Sequence, residues 1–182
     1  MKILLLQLKR IGDLILTTPA IAALRERFPE AQLTLVVSNE CADLLPALSN
    51  IDRILIARRN LRDFSLFFTV AARKFDYCVD FTRNDRSASL ALLSGARTRV
   101  VSYRVREQSR TRARAYTDFV SVRMRDMHTI DYNLALIKPL GAHGGSTAPH
   151  LDVPQSAYEK ADALRDKWNE VLLHVPNVAA EA

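Results

Sequence analysis

Residues 3–29, ILLLQLKRIGDLILTTPAIAALRERFP, decide the fold. Ile3 to Leu6 is an unbroken apolar run of strand length, the pattern of a short strand buried on both faces. The chain then turns at Gly12 and enters an apolar-periodic helix, so Asp13 stands at the mouth of a strand–loop–helix unit. In open α/β sheets, ligands bind outside the carboxyl ends of the strands. A carboxylate placed there can cap the helix, by accepting from orphan backbone N–H groups, or act as a catalytic base. Pro19 falls inside the helical pattern and predicts a kink or a restart, because its ring removes a backbone donor and crowds the preceding turn. Pro29 closes the helix.

Working outward, short apolar runs predict strands at about 2–8, 32–38, 52–57, 76–81 and 98–103. Helical patterns lie between them, at about 14–28, 40–48, 61–73 and 84–94. Strand and helix alternate at spacings that suit βαβ crossovers, which predicts an α/β fold with a doubly wound, mainly parallel, Rossmann-like sheet. Beyond Tyr103 the periodicity stops, and Arg104 to Arg114 reads as a long basic loop. A second helical run at about 127–140 ends at Gly141, and His143 to Pro149 is a polar linker. Gln155 to Trp168 is an amphipathic helix, and Val171 to Val175 reads as one more strand.

Charge is unevenly placed. Residues 53–125 hold sixteen arginines and Lys74 against six acids, a local net charge of +11 in a chain whose total is +6. Between Arg97 and Arg114, seven arginines face one acid, Glu107. The planar guanidinium fork suits phosphate and carboxylate, so an anionic partner is expected. No apolar run approaches the roughly 18 residues of a membrane span. The chain enters a core strand straight after Met1-Lys2, with no signal-peptide pattern. Cys41 and Cys78 lie in apolar surroundings without ligand spacing and read as buried free thiols of a cytoplasmic protein.

Several chemistries lack their residues. There is no G-x-G-x-x-G and no G-x-x-x-x-G-K-[ST], and five glycines leave little material for a phosphate-cradling loop. No G-x-S-x-G elbow occurs. His128, His143, His150 and His174 lack metal-ligand spacing, and no metal is expected. His128 reads as a helix cap or surface residue, and Asp80, at the end of its strand, as a turn-stabilising one.

The order Arg10, Ile11, Gly12, Asp13, Leu14 to Leu16, Thr17, Thr18, Pro19 resembles the opening of glycosyltransferase family 9, which includes the lipopolysaccharide heptosyltransferases. Phe75 to Phe81 resembles that family's fourth strand, followed by a polar turn and a helix ending in Leu93-Ser94-Gly95-Ala96. His128, Asn133 to Leu136 and Leu140-Gly141 resemble a later helix. The resemblance implies the N-terminal half of a GT-B fold. Residues 1–150 would form an acceptor-binding domain, and 151–182 a linker helix with the first strand of a missing nucleotide-sugar domain, carried by Leu172 to Asn177. It implies inverting transfer of a sugar, heptose, from an ADP-activated donor to the anionic inner core of lipopolysaccharide. The chain would be truncated and inactive alone, with no cofactor beyond that donor, which the missing half would bind.

Asp13 maps onto the family's catalytic base. Gly12 would let the backbone turn without a side chain blocking the approach, and Arg10 would hold an anionic acceptor group, its alternative being an exposed loop arginine. Arg104, Arg106, Arg110 and Arg112 are assigned to acceptor phosphates or to the anionic inner membrane, as a peripheral contact. The alternative reading is a basic polyanion-binding module for nucleic acid, without catalysis. Only Tyr103, Tyr116 and Phe119 interleave the arginines there, thin material for base stacking, so no specific nucleic acid is expected.

Overall fold

The computed structural model describes residues 1–58, 63–143 and 146–173. Six strands form one parallel sheet: β1 Lys2–Gln7, β2 Gln32–Ser38, β3 Arg53–Ala57, β4 Tyr77–Asp80, β5 Thr98–Ser102 and β6 Asp118–Val120, in the order β3-β2-β1-β4-β5-β6. The central strand β1 pairs with β2 through Ile3↔Leu33 and with β4 through Ile3↔Tyr77. Its residues Ile3 to Leu6 are fully buried, as a strand covered on both faces requires.

The two faces divide along the strand pleat. Ile3 and Leu5 pack with α1 (Ile11–Ile15), α2 (Thr18–Arg27) and α7 (Thr129–Ile137). Leu4 and Leu6 pack on the other side with α3 (Asp63–Arg73), α4 (Asp85–Leu93) and the neighbourhood of α5 (Arg104–Gln108) and α6 (Arg110–Ala113). Pro19 restarts the helix: α1 ends at Ile15, and α2 begins with the proline in its first turn, where no donor is lost. The helical pattern at 40–48 is a 3₁₀ helix, Asn39–Ala47, with Pro46 inside it.

The expected basic loop is overturned. Arg104 to Arg114 is not a loop but two short helices, α5 and α6. Arginine is a good helix former. Buried Val105 anchors the first helix, and Ser109 caps the second by accepting from Arg112 N at 3.3 Å. Each spans little more than a turn, too short for apolar periodicity to register. Strand β6, three residues at the sheet edge, escapes sequence patterning for the same reason.

Residues 1–151 and 152–182 are separate compact units. The second contains α8, Gln155–Leu173, with Arg165 paired to Asp162 at 3.1 Å one helical turn away. Residues 171–173, expected to begin a strand, continue this helix, in keeping with the helix-forming preference of Glu170, Leu172 and Leu173. The rest of that expected strand lies outside the described residues. Among the described residues, no helix is long and apolar enough to cross a membrane.

Candidate active site at the strand switch point

The strand order reverses at β1: the chain builds outward to β3, then returns to add β4 on β1's other side. The crevice at the carboxyl ends of β1 and β4 is therefore where this architecture takes a ligand. Three strand exits are pinned together there. The backbone N–H of Leu8, leaving β1, donates to Thr82 Oγ1 after β4 at 2.7 Å. Ser38 Oγ, at the end of β2, donates to Lys9 O at 3.0 Å.

The turn after β4 is built around Asp80. Its fully buried carboxylate accepts from Thr82 N at 2.7 Å, Arg83 N at 3.1 Å and Ser87 Oγ at 2.6 Å, and from the Tyr116 hydroxyl. Burial pushes the Asp80 pKa above the ordinary carboxylate range, against the pull of those hydrogen bonds. Burial and the neighbouring Asp80 carboxylate push the Tyr116 phenol up as well. Asp80 is thus a turn-holding residue, as its place at the strand end suggests. Arg83 sits in the left-handed region (φ 68°), with its guanidinium over the Tyr132 ring at 5.3 Å.

Asp13 lies in the first turn of α1, whose N-cap residue is Arg10 without a side-chain cap. Among the described residues, the carboxylate takes a hydrogen bond from Lys9 Nζ at 3.4 Å and caps no backbone N–H. The capping role is therefore unfilled, and the group faces an open recess of about 600 Å³ lined by Leu8, Lys9, Arg10, Asp13, Ser38 and Glu40. Burial holds the Lys9 pKa below its ordinary value, and nearby Arg83 adds to this while Asp13 opposes it.

Beneath Asp13, the Thr17 hydroxyl donates to Asp13 O at 2.7 Å and accepts from Gln7 Nε2 at 2.7 Å and Asn133 Nδ2 at 3.2 Å. This buried network ties the backbone of α1 to β1 and α7.

The remaining expected residues fall in different places. Arg10 is exposed at the rim of the recess. Gly12 does not make the turn: it has no positive φ and sits inside α1, and the turn falls at Lys9-Arg10 before it. A Cβ at Gly12 would meet no protein atom within 4 Å, so the space beside it is open. Arg104 lines a separate recess with Tyr103, Glu107 and Arg123. Arg106 lies over the Phe119 ring at 5.5 Å, and Arg110 is exposed. Arg112 donates to Arg83 O at 2.8 Å and pairs with Asp85 at 3.2 Å, which gives it a structural partner on the turn after β4. His128 caps α7 by accepting from Ile130 N at 3.3 Å, and both cysteines are buried and free.

No family model matches the chain. A curated relative, lipopolysaccharide heptosyltransferase 3 of Escherichia coli, is 24% identical over 160 residues, covering 82% of this chain and 46% of the relative. The solved glycosyl transferase family 9 structure from Veillonella parvula superposes with a TM-score of 0.72 at 21% identity, covering 92% of this chain and 49% of that one. The structure of E. coli ADP-heptose lipopolysaccharide heptosyltransferase II gives 0.67 at 17% identity, covering 91% and 50%. The chain is similar in sequence to heptosyltransferases and in fold to a glycosyl transferase family 9 structure. Its fold is the Rossmann-like α/β fold that these GT-B neighbours share, and it spans about half the length of the curated relatives it matches.

Three contributors to the site go unread in the sequence. Lys9 stands four residues before Asp13, a spacing that brings helix-neighbouring charges together and could have flagged the pair. Thr82 and the Gln7–Thr17–Asn133 network depend on contacts across 74 to 116 residues, which no local pattern reveals.

Proposed function

We propose that this chain is the acceptor-binding part of an inverting glycosyltransferase, with the acceptor hydroxyl bound at the recess that holds Asp13. The observation that carries the reading is Asp13's carboxylate: it stands at the strand switch point, free of any capping duty, held by Lys9 and open to a ligand. In the reaction, Asp13 takes the proton of the acceptor hydroxyl as its oxygen forms a bond to the donor's anomeric carbon. The bond from that carbon to the nucleoside diphosphate breaks on the opposite face, and the configuration inverts. General-base assistance of this kind contributes about 10²- to 10⁴-fold.

The acceptor class is an anionic lipopolysaccharide inner core, a reading supported by the heptosyltransferase relatives and by exposed Arg10 at the recess. Arg10 lies at the recess itself, whereas Arg104, Arg106 and Arg110 stand on α5 and α6, outside the residues that line it, and are assigned to the anionic surface that carries the acceptor. Arg112 contributes mainly by holding the turn after β4. The donor, an ADP-activated heptose, is held by the half of the relatives that this chain does not match. The acceptor is lipid-anchored, so the protein works from the cytoplasm at the surface of the inner membrane.

The reading is tested by titrating the ¹⁵N-labelled chain with a delipidated, phosphorylated inner-core oligosaccharide. Saturable shifts at Lys9, Gly12, Asp13 and Ser38 are expected. An absence of saturable shifts there would overturn the acceptor assignment.

A further inference from the structure

The two helical layers differ in charge and in what they expose. Helices α1, α2 and α7, on one face, carry two arginines against three acids. Helices α3 to α6, on the other, carry six arginines against three acids, and Lys74 and Arg114 directly follow α3 and α6. Two of those acids, Asp85 and Glu107, are already matched by Arg112 and Arg123. Among the described residues, Arg110 and Arg114 have no ion pair and are exposed.

The same layer breaks the rule for a surface helix. On α3, Leu66 and Val70 face the core, so positions 64 and 68 fall on the outer side, where an amphipathic helix carries polar residues. They are Phe64 and Phe68, one helical turn apart, 64% and 73% exposed. On α4, which packs against α3, Leu92 is 56% exposed and Leu93 43%.

We infer that the α3–α6 layer docks on an anionic phospholipid surface, its arginines meeting the headgroups and Phe64 with Phe68 entering the interface. The inference rests on the proposed lipid-anchored acceptor and adds the face, and the inserting residues, by which the protein reaches it. Charge complementarity selects the occupant. A second copy of this chain would set one arginine-rich layer against another. Two phenylalanines and two leucines also fall well short of the roughly 800 Å² that each partner buries in a stable dimer. An anionic bilayer attracts each basic residue near its surface, an effect that salt screens, and its headgroup–acyl boundary takes up the Phe and Leu of an amphipathic helix.

The test uses the 182-residue chain and glycan-free vesicles, so that it is independent of acceptor binding. Flotation with phosphatidylglycerol-containing vesicles is compared with flotation on pure phosphatidylcholine. The chain is expected to bind the anionic vesicles only. Replacing Phe64→Ser and Phe68→Ser together should weaken that binding about tenfold, from the apolar area no longer buried. A gain-of-signal arm places Phe64→Trp in a Trp168→Phe background, where anionic vesicles should shift the indole emission to the blue and brominated lipid should quench it. Unchanged binding by the Ser variant would overturn the inference, as would an indole emission from the Phe64→Trp variant that is indifferent to vesicles. So would a wild-type dimer in sedimentation that the Ser pair converts to a monomer, which would assign the face to a second copy. Strong nucleic-acid binding lost with the arginines but untouched by the Ser pair, without vesicle binding, would overturn it in favour of a polyanion site. Vesicle docking without oligosaccharide binding would fault the acceptor reading instead.

Discussion

Asp80→Ala should be among the most damaging single substitutions in the sheet domain, and its cost can be worked from the contacts. Removing the carboxylate leaves Thr82 N, Arg83 N and the Tyr116 hydroxyl without their acceptor, whereas Ser87 Oγ keeps Asn84 O at 3.0 Å. Each buried donor left unsatisfied costs about 1–3 kcal/mol. With Arg83 N only partly buried, the sum is about 4 kcal/mol, or roughly 10 °C in Tm for a domain of this size. Asp80→Asn is the informative control. Its Oδ1 can still accept from the Thr82–Arg83 turn, and the two hydroxyls can rotate to accept from Nδ2, so a loss below about 1.5 kcal/mol is expected.

The pH dependence separates charge from hydrogen bonding. The folded-state pKa of Asp80 is raised by burial, so between the ordinary carboxylate value and that raised value the folded state holds the extra proton. Asp80's contribution to stability is then greatest below the ordinary value and declines as pH rises through this window. The Asn variant should lack that decline. Urea unfolding followed by circular dichroism, at steps of pH for wild type, Asn and Ala, measures all three. An Ala variant within about 1 kcal/mol of wild type, or an Asn variant with the wild-type pH slope, would refute the reasoning.

Other outcomes follow from the same contacts. Gly12→Ala should stabilise the fold by up to about 1 kcal/mol, since it sits in a helix without positive φ and its Cβ meets nothing. The same change should weaken oligosaccharide binding, which calorimetry would show; unchanged affinity would place the acceptor elsewhere. Thr17→Val keeps the shape but removes three hydrogen bonds around Asp13 O, and thermal melts should report a loss of about 1–3 kcal/mol. The Arg110→Ser and Arg114→Ser pair should leave stability unchanged while lowering anionic-vesicle affinity, because among the described residues neither pairs with a carboxylate.

The sheet is legible because its centre is extreme. Ile3 to Leu6 has the length and unbroken apolarity of a doubly covered strand, and Pro19 marks a break in the helical pattern by its chemistry. Arg104 to Arg114 reads wrongly as a loop because one-turn helices are fixed by a single buried anchor, Val105, and a serine cap, not by a repeating pattern. At the site, Asp13 and Arg10 are readable from their place after β1. Gly12 suggests a turn that the Lys9-Arg10 pair makes instead. The Asp80–Tyr116 and Leu8–Thr82 contacts join distant segments, and only the fold discloses them.

The central claim, that Asp13 is the base of an acceptor site, is tested most directly by joining this chain to the half of a heptosyltransferase relative that it does not match and comparing wild type with Asp13→Asn. The change keeps the size of the side chain and leaves no cap to lose, so folding and oligosaccharide affinity should be nearly unchanged. Turnover should fall by about 100-fold or more. An Asp13→Asn protein that folds, binds the acceptor and turns over at the wild-type rate would contradict the account.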